Sequence, residues 1–142
     1  MLAWFPMTPA WARMQALDET ESMRLLESAR WGRCAWSTPA GPRILPINYS
    51  VLDGNVFFRT GLNGRLAEAT TGGPVALEAD ELDDGMQSAW SVVVLGRAEQ
   101  VTDPVEVASI FARIREPWAP ESRPVLVRIV PTELTGRRFL KS

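Results

Sequence analysis

The sequence predicts a mainly β chain: an antiparallel barrel of about six strands decorated by short helices. Three observations predict it. Short runs rich in β-branched and aromatic residues recur at close spacing, bounded by Gly, Pro, Asn or Asp. Asp53-Gly54 stands between two of these runs. Asp-Gly is a strong hairpin signal, because both central positions of a type I′ turn need φ > 0. The stretches with helical spacing are brief, so they decorate a sheet and do not form a layer of their own.

Met1–Leu17 is apolar, carries Trp4, Phe5 and Trp11, and is broken by Pro6 and Pro9. It has no basic leader region, so it matches a signal peptide poorly. We read it as an N-terminal extension ahead of a domain at residues 18–142. It is richer in aromatics than a disordered tail, so part of it is expected to lie on the body or on a partner subunit.

Asp18 and Glu21 have the spacing of a capping box, which starts a helix over about 18–29 that buries Met23 and Leu26. Gly32–Thr38 reads as the first strand, and Pro39–Pro42 as a turn. Arg43–Leu52 alternates and continues through Asp53-Gly54 into Asn55–Thr60. Period-2 alternation sets Val56 and Phe58 on one face of that strand, and Phe57 and Arg59 on the other. Gly61 and Gly64 bracket a tight loop before a short helix near 64–70. Val75–Ala79 is a buried strand. The acidic loop Glu81–Gly85 lacks the ligand spacing of a calcium site. Gln87–Val101 is a long strand in which Gly96 marks a bulge or bend. Asp103-Pro104 opens a helix over about 104–115, with Val107, Ile110, Phe111 and Ile114 as its core stripe. Pro124–Val130 is the last apolar strand, and Thr132–Ser142 reads as a basic tail.

At 142 residues the chain suits one domain with its own core. No run approaches the ~18–20 apolar residues of a membrane span. A net charge of −2 gives no basic field, which argues against nucleic acid as the main partner. The absence of histidine removes Ser-His-Asp and Cys-His nucleophiles, histidine metal sites and histidine-ligated haem. No metal site is expected. Cys34 is the one cysteine, which fits a reducing cytoplasm and a core-filling role.

The candidate site centres on Arg59, Thr60 and Arg65, which the hairpin places at a strand end, a loop and a helix start. Two guanidiniums and a hydroxyl there can form a phosphate cradle. The alternative is plain: strand-end arginines are commonly solvated, and a Gly-rich turn is commonly only a turn.

A wider set of pieces runs in order along the chain. These are Gly32–Ala35, Pro46–Tyr49, Asp53–Thr60, Gly64–Leu66, Val75–Asp80, Trp90–Ala98, Pro117–Pro120 and Thr135–Arg138. Together they resemble the pyridoxamine 5′-phosphate oxidase-like, FMN-binding split-barrel proteins, in their small bacterial branch. Their joint order carries the resemblance. It implies a six-stranded antiparallel split β-barrel and a homodimer with two flavins at the subunit interface. By the same resemblance, Arg59, Thr60, Arg65 and Leu66 hold the FMN phosphate. Leu45, Pro46, Ile47 and Asn48 run beside the isoalloxazine ring, Trp90 and Ser91 lie on the neighbouring strand, and Trp118 and Arg138 approach from the other protomer. The residues leave other roles open. Trp90 and Trp118 can be core or interface aromatics, Asn48 can satisfy a turn, and Tyr49 can pack in the barrel.

Two departures matter. Arginine stands at position 65 where many relatives have lysine, and arginine binds phosphate with a flatter, bidentate geometry. The histidines of the vitamin-oxidising and nitroimidazole-resistance-type relatives are missing, which argues against true pyridoxamine-phosphate oxidation. The expectation is therefore a flavin-dependent oxidoreductase acting on a small molecule, with the cofactor carrying the redox chemistry. The alternatives are a non-catalytic flavin carrier or sensor and an F420-dependent reductase on the same fold. No side chain is an evident general acid, so no catalytic residue is assigned.

Overall fold

The computed structural model describes residues 13–61, 64–70, 73–85, 88–114, 116 and 124–140. Eight strands form one antiparallel sheet: β1 (Arg13–Leu17), β2 (Trp31–Thr38), β3 (Gly41–Asn48), β4 (Ser50–Leu52), β5 (Asn55–Gly61), β6 (Pro74–Asp83), β7 (Ser88–Val101) and β8 (Pro124–Leu140). Helix α1 spans Glu19–Ser28, α2 spans Pro104–Phe111, and a 3-10 turn covers Arg65–Thr70. The strand order is β3-β2-β6-β7-β8-β5-β4, with β1 added beside β8. The sheet curls without closing, as a split barrel does.

The helix starts follow their caps. The Asp18 carboxylate accepts from the Glu21 N–H at 2.8 Å, and the Asp103 carboxylate from the Glu106 N–H at 3.0 Å. Each satisfies an amide that a helix start leaves open. Asp53 and Gly54 both take positive φ, 53° and 79°, and join β4 to β5 as the type I′ hairpin requires. Gly96 sits at a register shift between β7 and β8, where a side chain would run into the Val130 carbonyl.

The structure differs from the expectation in three places. The run 43–52 is two strands, because the chain leaves the sheet at Tyr49. Tyr49 is buried and its hydroxyl donates to the Leu26 carbonyl at 2.8 Å, so a contact to α1 breaks an otherwise unbroken alternation. The last strand runs on to Leu140 through the supposed tail, paired with β7 on one side and β1 on the other. Pro131 is tolerated inside it because it sits at the bulge, where the ladder is already interrupted. Arg13–Leu17, within the N-terminal extension, forms a strand where none was expected and lies on the body beside β8, and Met1–Trp11 lies outside the described residues. The break at Tyr49 and the addition of β1 raise the strand count above six.

Two cores result. The inner face carries Cys34, Trp36, Val56, Phe58, Leu77, Val92, Val94, Val127 and Ile129, with Leu25 and Leu26 of α1. Each large apolar side chain buried there is worth roughly 1.5–3 kcal/mol. On the other face of β5, Phe57 packs with Val101, Ile110 and Leu126. The stripe Val107, Phe111 and Ile114 covers them, so α2 lies outside the sheet. Arg128 fixes that helix by pairing with Glu106 of α2 and Glu99 of β7.

Candidate functional site

The pleat of β5 decides how the predicted phosphate residues sit. Val56, Phe58 and Thr60 point inward, so Arg59 points outward with Phe57. Thr60 is buried, and Gly64 folds back over it, its N–H donating to the Gly61 carbonyl at 2.9 Å. A Cβ at position 64 would approach the Thr60 hydroxyl to 3.3 Å and the Gly61 carbonyl to 3.2 Å. A side chain there would crowd the hydroxyl, which glycine does not. Arg65 opens the 3-10 turn next to Gly64, exposed and without an ion pair among the described residues. Leu66 packs onto the inner core and holds the turn down. The structure thus brings Thr60, Arg65 and Leu66 around one short loop.

Arg59 lies elsewhere. Its Nη2 donates to the Phe111 carbonyl at 3.0 Å, its Nη1 pairs with Glu116 at 3.2 Å, and its guanidinium lies 4.1 Å from the centre of the Phe111 ring. The side chain is 12% exposed, and its Nε has no acceptor. It clamps the end of α2.

The predicted ring-side residues also divide by parity. Leu45 and Ile47 face the inner core, whereas Pro46 and Asn48 face outward, opposite Arg33 and Trp31 of β2. Trp90 packs inward and Ser91 outward. Arg138 turns inward to Glu21 of α1 at 3.1 Å, and Glu21 also pairs with Arg24 at 2.7 Å. The hydrogen bonds from Arg24 and Arg138 hold the Glu21 carboxyl down at about 2. Trp118 lies outside the described residues.

The outer face therefore carries Pro46 and Asn48 on β3 and Ser91 on β7, with β2 and β6 between them, together with residues that sequence reading missed. Arg137 stands opposite Ser91, its Nε 3.4 Å from the Ser91 hydroxyl, and its guanidinium lies 5.6 Å from the centre of the Phe139 ring. Opposite Pro46, Arg33 reaches Glu78 at 2.6 Å and Asp80 at 3.4 Å. Burial first, and then the Asp80 carboxylate, push the Glu78 carboxyl above its ordinary range. The i, i+2 spacing of Glu78 and Asp80 was a usable signal, since it puts both on one face of β6. Arg137 could be found only by knowing that β8 continues. Two shallow clefts of about 210 and 260 Å³ share Ser91 on this face. The outer face thus carries hydroxyl, amide and guanidinium groups spread over β3, β2, β7 and β8, and the clefts lie at its β6–β8 side.

Cys34 is fully buried, and burial pushes its thiol up to about 11, so it is inert core. No group of three or more metal-ligating side chains occurs among the described residues. No helix among them is long and apolar enough to cross a membrane.

Comparison with known proteins places this architecture. The family model for pyridoxamine 5′-phosphate oxidase matches residues 18–138. An uncharacterized protein of Mycobacterium tuberculosis is 40% identical over 129 residues, covering 87% of this chain and 84% of its own. A Corynebacterium glutamicum structure provisionally named a pyridoxamine 5′-phosphate oxidase superposes with a TM-score of 0.78 at 34% identity, covering 91% of this chain and 95% of that one. The FAD binding protein from Mycobacterium smegmatis superposes with a TM-score of 0.74 at 35% identity, covering 87% and 97%.

Proposed function

Because the chain belongs to the pyridoxamine 5′-phosphate oxidase family, we propose that it binds FMN and works as a flavin-dependent oxidoreductase on a small molecule. One observation carries the reading: the family match spans the segment in which a glycine, Gly64, stands against the Thr60 hydroxyl beside an exposed Arg65 that has no ion pair among the described residues. That loop fits a phosphate, with one neutral donor, one guanidinium and no carboxylate drawn to either among the described residues.

In this reading Thr60 and Arg65 bind the phosphate, and Leu66 fixes the turn. Arg59 contributes only by giving up Phe111 and Glu116, so Arg65 carries the larger share. Pro46, Asn48 and Ser91 line the ring on the outer face, while Leu45, Ile47 and Trp90 support that wall from inside. Trp118 and Arg138 complete the set carried over from the family. A bound flavin supplies the redox chemistry, and this chain binds, orients and screens it.

The outer face also supports a homodimer. Ile44, 64% exposed, and Leu95, 39% exposed, flank Ala35 and Ala76 on neighbouring strands of that face. A second copy would cover this apolar row. A cytoplasmic location belongs to the same proposal, and the single buried thiol is compatible with it. A specific observation favours FAD as the second cofactor reading: the 35%-identical Mycobacterium smegmatis structure is named for it.

The test is the absorption spectrum of the purified protein, alone and after titration with FMN, FAD and F420, followed by addition of a reduced nicotinamide. A flavin spectrum that bleaches supports the enzyme. A bound flavin that does not bleach supports a carrier, and binding of F420 alone moves the activity to the deazaflavin.

A further inference from the structure

The outer face of the sheet carries a second apolar row, away from Ile44 and Leu95. Met14 of β1 stands opposite Phe139 of β8, Phe139 opposite Ala89 of β7, and Ala89 opposite Leu82 of β6. Residues directly opposite one another across strands share a face. Ser91 and Arg137 fix which face it is, because each lies two positions from a member of the row and points outward. The Arg137 guanidinium also lies 5.6 Å from the centre of the Phe139 ring. Leu82 is 69% exposed and Met14 57%. Leu82, Ala89 and Phe139 line one cleft of about 260 Å³.

This row is distinct from the one assigned above to a second copy. Ala76 and Leu82 on β6 set the two rows about 20 Å apart, at ~3.3 Å per residue. Between them runs a polar band that includes Arg33, Glu78, Asp80, Ser91 and Arg137.

The path of the chain points to an occupant. Arg13, one position before Met14, is the first residue of β1 and pairs with Leu140. Residues 1–12 therefore join the sheet at the β1 end of the row, and they lie outside the described residues. They carry no charged side chain and include Trp4, Phe5 and Trp11. Aromatic side chains gain by leaving water, and the row begins beside the point where this segment joins. Pro6 and Pro9 lack amide donors, which favours contact through side chains over a continued ladder. Reach is not limiting. Crossing from β1 to β6 takes three strand spacings, roughly 14 Å. Twelve extended residues span up to about 40 Å.

We propose that the segment at residues 1–12 folds back over the outer face of its own chain and covers the row Met14, Phe139, Ala89 and Leu82. Its aromatic side chains are the groups that meet Leu82 and Phe139. There it walls the cleft into which Ser91 opens. The contact needs no bound flavin.

The test places a nitroxide on Thr8→Cys in the full chain and reads paramagnetic broadening of assigned backbone amides. Cys34 is buried and its thiol is pushed up to about 11, so it stays unlabelled. The amides of Leu82, Ala89 and Phe139 should broaden strongly, and those of Ile44 and Val105 far less. Met14 lies too close to the label in sequence to count. Leu82→Lys, at an exposed position, should remove the broadening at Ala89 and Phe139. Trp4→Ser combined with Trp11→Ser should do the same. Unshifted amides of Val92 and Val94 in the inner core show that each variant is folded. Mixing nitroxide-bearing chain with isotope-labelled chain that lacks the nitroxide separates the segment's own chain from a second copy, and the mixture should not broaden. The proposal is overturned if the row does not broaden, if Ile44 and Val105 broaden as much, or if either set of substitutions leaves the broadening as in wild type. Broadening in the mixture equal to that of the single sample also overturns it, and assigns the row to the segment of a second copy.

Discussion

Arg59→Ala tests whether the guanidinium belongs to α2 more than to a ligand. The substitution removes a charged hydrogen bond to the Phe111 carbonyl at 3.0 Å, a class worth roughly 1.5–3 kcal/mol. It removes the stacking on the Phe111 ring at 4.1 Å, worth about 0.5–1 kcal/mol or somewhat more when desolvated. The pair with Glu116 adds little, because the Glu116 side chain is 82% exposed. Loss of the buried, unmatched Nε–H offsets part of this. The net expectation is a loss of about 2–3 kcal/mol, since such contributions are not strictly additive. Urea unfolding should show the midpoint falling by about 1 M with an unchanged slope. Glu116→Ala should change stability by under about 0.5 kcal/mol. A stability loss below about 0.5 kcal/mol for Arg59→Ala would refute the clamp and return Arg59 to the ligand. So would an FMN defect larger than that of Arg65→Ala.

Other outcomes follow from the same geometry. Gly96→Ala drives a Cβ into the Val130 carbonyl, so the bulge must shift; we expect a cost of about 2–3 kcal/mol and a Tm roughly 5–10 °C lower by calorimetry. The Glu21 carboxyl is held at about 2 against an ordinary 4.5, so its contribution is whole above pH 4.5 and fades as pH falls toward 2. Arg138→Gln should shrink that fading in an acid titration followed by circular dichroism, whereas an unchanged acid limb would show that the contact is idle.

Local chemistry made much of the fold legible. Asp18, Asp103-Pro104 and Asp53-Gly54 act through their own backbone, and each element they announce is present. Gly96 announced its bulge in the same way. What escaped depends on distant partners. Nothing within residues 43–52 says that Tyr49 will turn away to reach Leu26, 23 positions earlier. The polar end of β8 looks like a tail until β7 and β1 flank it. That miss hid Arg137, whereas Arg138, one residue away and on the other face, was named from the family resemblance. The alternation of β5 was readable, and it already set Arg59 apart from Thr60. Gathering both into one cradle followed sequence adjacency rather than the pleat.

The central claim is that Thr60 and Arg65 hold the phosphate of a flavin. Its most direct test is a paired titration of wild type and Arg65→Ala with FMN and riboflavin, followed by flavin fluorescence. Losing one charged phosphate contact of roughly 1.5–3 kcal/mol should weaken FMN by about one to two powers of ten. Riboflavin, which lacks the phosphate, should bind both proteins alike. Equal FMN affinity in the two proteins, or an equal loss for FMN and riboflavin, would contradict the account.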